Sequence, residues 1–249
     1  MVFGETAAMA LAGFVGLSLG ALGSGGSIIT TPLLVYVAHV SPANAIGMSL
    51  VIVGATSFAG LLLHRRLGNV AVKPLLLFAL TGTVGSFLGS TGTHLLSRKT
   101  LMLLFSGIML IVGRTMWRGA GRNARKAKYY GVSQCLVAGF FVGLLTGFLG
   151  VGGGFLIVPA LILFAGLETR IAVGTSLGII SCNCVTGLLG QLRFVNINWV
   201  LLLGFLVFAL AGMLVGARLS GQVSESRLRR VLAETIVVLA VAVAFQNLV

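Results

Sequence analysis

A chain of 249 residues in which 57% are hydrophobic and only 8% charged is not a soluble globular domain, where about 25% of residues are charged. Its net charge of +13 comes from 17 Lys and Arg against four acids, Glu5, Glu168, Glu225 and Glu234. Such basicity suggests nucleic acid first, but the cations lie in short turns between apolar runs and read as membrane orientation signals.

Ten apolar segments follow in order: about Thr6 to Leu22, Ile28 to Val40, Ala45 to Leu63, Val72 to Gly92, Leu101 to Met116, Gly131 to Leu149, Phe155 to Gly166, Ile171 to Gly190, Trp199 to Leu219 and Leu228 to Phe245. The first carries Glu5 ahead of it and no basic n-region, so it is expected to remain rather than be cleaved as a signal peptide. Most segments can span roughly 30 Å of hydrocarbon. The second and seventh cannot. Each follows a glycine cluster and holds a proline, Pro32 or Pro159, so each reads as half of an interrupted span.

A constant offset of 127 aligns the halves without a gap. Gly16, Gly20, Gly23, Gly25, Gly26 and Pro32 fall on Gly143, Gly147, Gly150, Gly152, Gly153 and Pro159; Ala45, Gly47, Ser49, Leu50 and Gly60 fall on Ala172, Gly174, Ser176, Leu177 and Gly187. Five segments per half is an odd number, so the second half enters the membrane from the opposite side. The expected fold is therefore all-α and membrane-integral, with two inverted-topology repeats of five helical segments, some glycine-interrupted or half-spanning. The first repeat is residues 1–117, a basic cytoplasmic linker 118–129, and the second repeat 130–249.

The cations test that topology. With Arg114, Arg118, Arg122, Arg125, Lys126 and Lys128 in the cytoplasm, alternation places Arg65, Arg66, Lys73, Arg170, Arg218, Arg227, Arg229 and Arg230 there too. Only Arg98, Lys99 and Arg193 remain outside. Both termini should then face the periplasm of a bacterial inner membrane.

The chemistry is expected at the glycine clusters, Gly23-Ser24-Gly25-Gly26-Ser27 and Gly150-Val151-Gly152-Gly153-Gly154. A helix starting there presents unpaired N–H groups and the positive end of its dipole, an anion site if it points into a cavity near mid-membrane. Two such starts could face one anion from both sides. A purely packing role for these glycines competes, although packing motifs space glycine every fourth residue rather than consecutively. On the next helix of each half, Ser49, Thr56 and Gly60 share a face, as do Ser176, Asn183 and Gly187. Hydroxyls and an amide hydrogen-bond an oxyanion without burying a charge, though Ser and Thr can instead bond their own helix. The candidate ligands are Ser24, Gly25, Gly26, Ser27, Ser49, Thr56, Gly152, Gly153, Gly154, Ser176 and Asn183, with Thr30, Thr31, Thr146 and Thr175 weaker.

Acids are scarce, so a proton or Na⁺ relay on paired carboxylates has little to work with; Glu234 reads as a snorkelling or helix-paired residue. His39, His64 and His94 lie near segment ends, where an interfacial position is expected. The cysteines Cys135, Cys182 and Cys184 fall in apolar segments, and neither a metal site nor a disulfide is expected. Gly16-Leu17-Ser18-Leu19-Gly20 fits a nucleophile elbow, but mid-helix and with no strand before it. The glycine clusters lack the βαβ context of a dinucleotide loop, so neither enzyme activity nor a cofactor is expected.

The doubled motif resembles the sulfite exporter TauE/SafE family. It reads Gly20-Ala21-Leu22-Gly23-Ser24-Gly25-Gly26 to Pro32, then Ala45-Ile46-Gly47-Met48-Ser49-Leu50. It returns as Gly147-Phe148-Leu149-Gly150-Val151-Gly152-Gly153-Gly154 to Pro159, then Ala172-Val173-Gly174-Thr175-Ser176-Leu177. The resemblance implies a permease for sulfur oxyanions or organosulfonates. The first cluster departs by carrying Ser27 where the second has Gly154, which makes the half-sites unequal. The expected function is a secondary transporter whose partners are a small anion and the lipid bilayer, with no nucleic acid; a homodimer is compatible with the pattern. An anion channel and a non-transporting scaffold subunit are the alternatives.

Overall fold

The computed structural model describes residues 2–23, 26–91, 132–149, 154–191 and 197–224, with individual helical positions in 106–117 and 226–241. Among these residues all regular structure is helical. The elements are α1 (Val2–Leu22), α2 (Gly26–Tyr36), α3 (Pro42–Arg66), α4 (Val72–Thr91), α5 (Val132–Leu149), α6 (Gly154–Phe164), α7 (Thr169–Gln191) and α8 (Trp199–Gln222). The linker at 118–129 and most of the fifth and tenth segments lie outside the described residues.

Helix ends follow local chemistry. α1 stops at Gly23, whose φ of 70° is left-handed while its N–H still reaches the Leu19 carbonyl at 2.8 Å. α3 opens on Pro42, whose missing N–H costs nothing in a first turn. It closes in a Schellman motif: Gly68 at φ 74° donates to Arg65 O at 3.1 Å, and Asn69 donates to His64 O at 2.9 Å. The turns after α2 and α6 match under the 127 offset. Val40 N–H bonds Leu34 O and Leu167 N–H bonds Leu161 O, with His39 left-handed at φ 53° where the other half has Gly166 at 65°.

Segments Asn44–Arg66, Thr169–Leu189 and Trp199–Gln222 are long and apolar enough to cross a bilayer. α2 and α6 are 11 residues each, about 16 Å of helix at 1.5 Å per residue, half the hydrocarbon core. On α4, Leu76, Leu80, Val84 and Phe87 form an exposed stripe, up to 70% accessible, as expected where lipid is the solvent.

Glycine sets which helices touch. A Cβ on Gly16 would collide with the backbone of Ala209, and one on Gly212 with that of Gly13, so α1 and α8 lie in parallel at near backbone contact. α4 and α5 do the same through Gly143 against Gly82 and Gly85 against Phe140. These two contact sets are one set shifted by 127. α3 and α7 cross at the centre, and here residue numbers run oppositely: Gly54 faces Cys184, Gly60 faces Leu177, and Gly187 faces Leu50. The two helices that the offset equates are therefore antiparallel.

The same contacts gather one basic end. The α3–α4 turn docks on α7, with Ala71 N–H donating to Thr175 Oγ1 at 2.9 Å, and Arg170 on α7 donates to Val223 O beyond α8 at 2.6 Å. Arg65, Arg66, Lys73, Arg170 and Arg218 thus share the end of the bundle that also receives the C-terminus of α1.

Candidate functional site

The register of the α3/α7 crossing fixes what each candidate side chain can reach. Thr56 and Asn183, equivalent under the offset, sit at the same level in its middle and are both buried. Ser49 and Ser176 sit on opposite sides of that level. From the facing pairs they are separated along the crossing by about 13 residues of helical rise, roughly 20 Å. This register keeps a single small anion from being held by both serines, contrary to the expectation from their shared motif.

The serines do something else. Ser176 Oγ donates within its own helix to Val173 O at 2.7 Å and lies 3.0 Å from the Gly23 carbonyl, tying the end of α1 to α7. A Cβ on Gly23 would sit 2.8 Å from that Oγ and 2.9 Å from Val173 Cα, so the first glycine bend is seated directly on the opposite half. Ser49 Oγ donates to Ile46 O at 2.8 Å and accepts from Thr31 Oγ1 at 3.0 Å, fixing α2 against α3. Gly26, five residues before Thr31, is displaced about 7–8 Å along α2 from this anchor, toward the level of Thr56 and Asn183. Ser176 thus positions the first bend and Ser49 positions α2, whose start approaches the middle of the crossing.

Of the central pair, Thr56 commits its hydroxyl proton to Ile52 O at 2.7 Å. Asn183 does not. Its Oδ1 is buried without a hydrogen-bond partner, and turning the amide by 180° puts its NH₂ at the same place. Ser57 Oγ, one residue from Thr56 and fully buried, also has no partner. In the sequence Ser57 carries no signal, because a serine beside an apolar run makes no pattern of its own. Thr175, a weaker candidate, serves the α3–α4 turn instead.

Of the glycine clusters, Gly26 and Gly154 are the first residues of α2 and α6, and Ser27 is helical. Ser24, Gly25, Gly152 and Gly153 lie outside the described residues. Cys184 is buried and Cys182 exposed, as their i, i+2 spacing requires. His64, in the last turn of α3, is 1% exposed and lies beside the Gly20 carbonyl.

Apolar spans around a neutral polar crossing, with an outer surface fit for lipid, define a multi-pass membrane protein. The chain belongs to the sulfite exporter TauE/SafE family, whose model matches residues 8–243. It is 38% identical over 242 residues to a "Probable membrane transporter protein" of Xylella fastidiosa strain Temecula1, covering 94% of this chain and 93% of that one. A "Probable membrane transporter protein YdhB" of Bacillus subtilis is 30% identical over 209 residues, with 82% and 85% covered. A "Probable membrane transporter protein YfcA" of Escherichia coli is 24% identical over 232 residues, with 92% and 83% covered. No solved structure matches the chain.

Proposed function

We propose that this protein is a secondary transporter moving a small sulfur-containing anion, such as sulfite or an organosulfonate, across a bacterial inner membrane. The anion binds in the middle of the α3/α7 crossing, between the N-termini of α2 and α6, with Asn183 and Thr56 as side-chain ligands. The N–H groups of the first turns of α2 and α6, which have no partner within their own helix, supply most of the hydrogen bonds. Ser176 holds the first bend and Ser49 holds α2 in place.

One observation carries this reading: two half-length helices start at glycine clusters beside a crossing whose central amide is buried and unpaired. A neutral, donor-rich site suits an anion that must enter and leave, because a fixed buried charge would bind too tightly or cost too much alone. The antiparallel crossing of α3 and α7 and the reciprocal pairing of α1 with α8 and α4 with α5 support two inverted halves that rock about the site. Sulfur oxyanions are favoured because the family's description names sulfite export.

The test is counterflow of labelled methanesulfonate and sulfite in proteoliposomes containing the purified protein, with Gly26→Leu and Gly153→Leu alongside. Flux that both variants leave unchanged defeats the site assignment. Conductance without trans-stimulated exchange indicates a channel, and no flux with either probe indicates a scaffold.

A further inference from the structure

A serine or threonine inside a membrane helix ordinarily closes its hydroxyl on a carbonyl three or four residues back. Along the α3/α7 crossing Ser49, Thr56 and Ser176 do so, to Ile46 O, Ile52 O and Val173 O. Ser57 does not. It is 0% exposed, and its Oγ is buried with no hydrogen-bond partner. The local reason lies in its neighbour. Val53 O, four residues before Ser57, receives the N–H of the helical turn and has Thr56 Oγ1 at 3.1 Å, so both of its lone pairs are engaged.

The register shows where the unmet hydroxyl lies. A Cβ on Gly54 would stand 3.0 Å from Cys184 Cβ, and one on Gly178 would stand 3.2 Å from Leu61 Cδ1. Ser57 falls between Gly54 and Leu61 on the stripe of α3 turned to α7, which sets it opposite Ser181. The 127 offset gives the same pair, because it carries Gly54 onto Ser181 and Cys184 back onto Ser57. Asn183, with its buried and unpartnered Oδ1, is two residues further along α7, about 3 Å of helical rise. Each half thus leaves one polar group unmet at the middle of the crossing, the level that the start of α2 approaches. The two groups come from adjacent positions of the repeat. Asn183 corresponds to Thr56, which is satisfied, and Ser57 corresponds to Cys184, whose thiol is only a weak donor.

We infer that Ser57 is a ligand of the transported anion, its hydroxyl donating to one oxyanion oxygen while the Asn183 amide, turned to present its NH₂, donates to another; the inference rests on the transport reading above. A hydrogen bond to a charged partner is worth more than one between neutral groups, so the anion gains most from a donor that nothing else has claimed. Left unmet, the same buried hydroxyl costs the fold stability. Packing and ligation therefore predict opposite results. Removing the hydroxyl of a ligand weakens transport and leaves the fold as stable or more so, whereas altering a packing residue weakens the fold first.

Counterflow of labelled methanesulfonate in proteoliposomes, with thermal unfolding of the same preparations in detergent, separates the two. Ser57→Ala should raise the KM for methanesulfonate about tenfold or more, as loss of a hydrogen bond to a charged group does. Its melting temperature without substrate should equal or exceed that of the wild type. The rise in melting temperature that methanesulfonate gives the wild type should shrink in step. Ser57→Cys keeps the shape with a weaker donor and should raise KM about threefold or more. A wild-type KM in either variant overturns the assignment. So does a raised KM accompanied by a clearly lower melting temperature in Ser57→Ala. Intact wild-type counterflow with either of these results overturns Ser57 alone, whereas no counterflow of methanesulfonate or sulfite by the wild type overturns the transport reading as well.

Discussion

At Asn183 the amide oxygen Oδ1 is buried at the centre of a membrane protein with no partner, whereas its repeat equivalent Thr56 satisfies itself against Ile52 O. Leaving such a group unmet is costly, so a ligand that meets it is worth a measurable amount. Asn183→Leu is expected to reduce counterflow of methanesulfonate by more than tenfold, while Thr56→Val stays within about twofold of wild type. Equal losses in the two variants would remove the distinction drawn between them. Ser176 and Gly23 make a separate pair. Ser176→Ala should cost about 1 kcal/mol, because one interhelical hydrogen bond in a membrane is worth about that or less. Gly23→Ala should cost about 2–3 kcal/mol, since it adds a Cβ to a left-handed residue already against Val173. Thermal unfolding in detergent compares them. Ser49, Ser176, Thr56 and Asn183 could all be picked from the sequence as one polar face per helix. Their division into ligands and anchors could not, because it depends on which neighbour each hydroxyl meets.

Between elements, the informative contacts are those of glycine. Gly16 and Gly143 each press on the backbone of a partner helix, so Gly16→Leu and Gly143→Leu should each destabilise by about 3 kcal/mol or more, read as a fall in melting temperature in detergent. The α3/α7 crossing offers a direct check of register. A Cβ on Gly54 would lie 3.0 Å from Cys184 Cβ, near the separation a disulfide needs. In a Cys135→Ala, Cys182→Ala background, Gly54→Cys is expected to form an intramolecular disulfide with Cys184 under mild oxidation. Failure to cross-link would contradict the antiparallel register. The half-length α2 and α6 were legible from a glycine cluster followed closely by proline, since both residues disfavour a continuous helix. Which helices they lie against was not, because apolar faces in lipid are nearly interchangeable and small-residue contact decides the pairing.

For the whole molecule, the described cations of α3, α4, α7 and α8 collect at one end, which the positive-inside tendency assigns to the cytoplasm. A cysteine introduced at Lys73 should react with a membrane-impermeant maleimide only after cell lysis, and one at Ser41 should react in intact spheroplasts. The reverse pattern would invert the proposed orientation. The sequence by itself determined the solvent, the doubled architecture and the family, because composition, a 127-residue offset and a repeated motif are properties of residue order and survive any packing. Only the tertiary structure decided that the two serines are too far apart to share an anion, that Asn183 Oδ1 is left unpaired, and that His64 is buried against its neighbours. Those facts arise from the antiparallel register of α3 on α7, a relation between residues more than a hundred positions apart that no local pattern encodes.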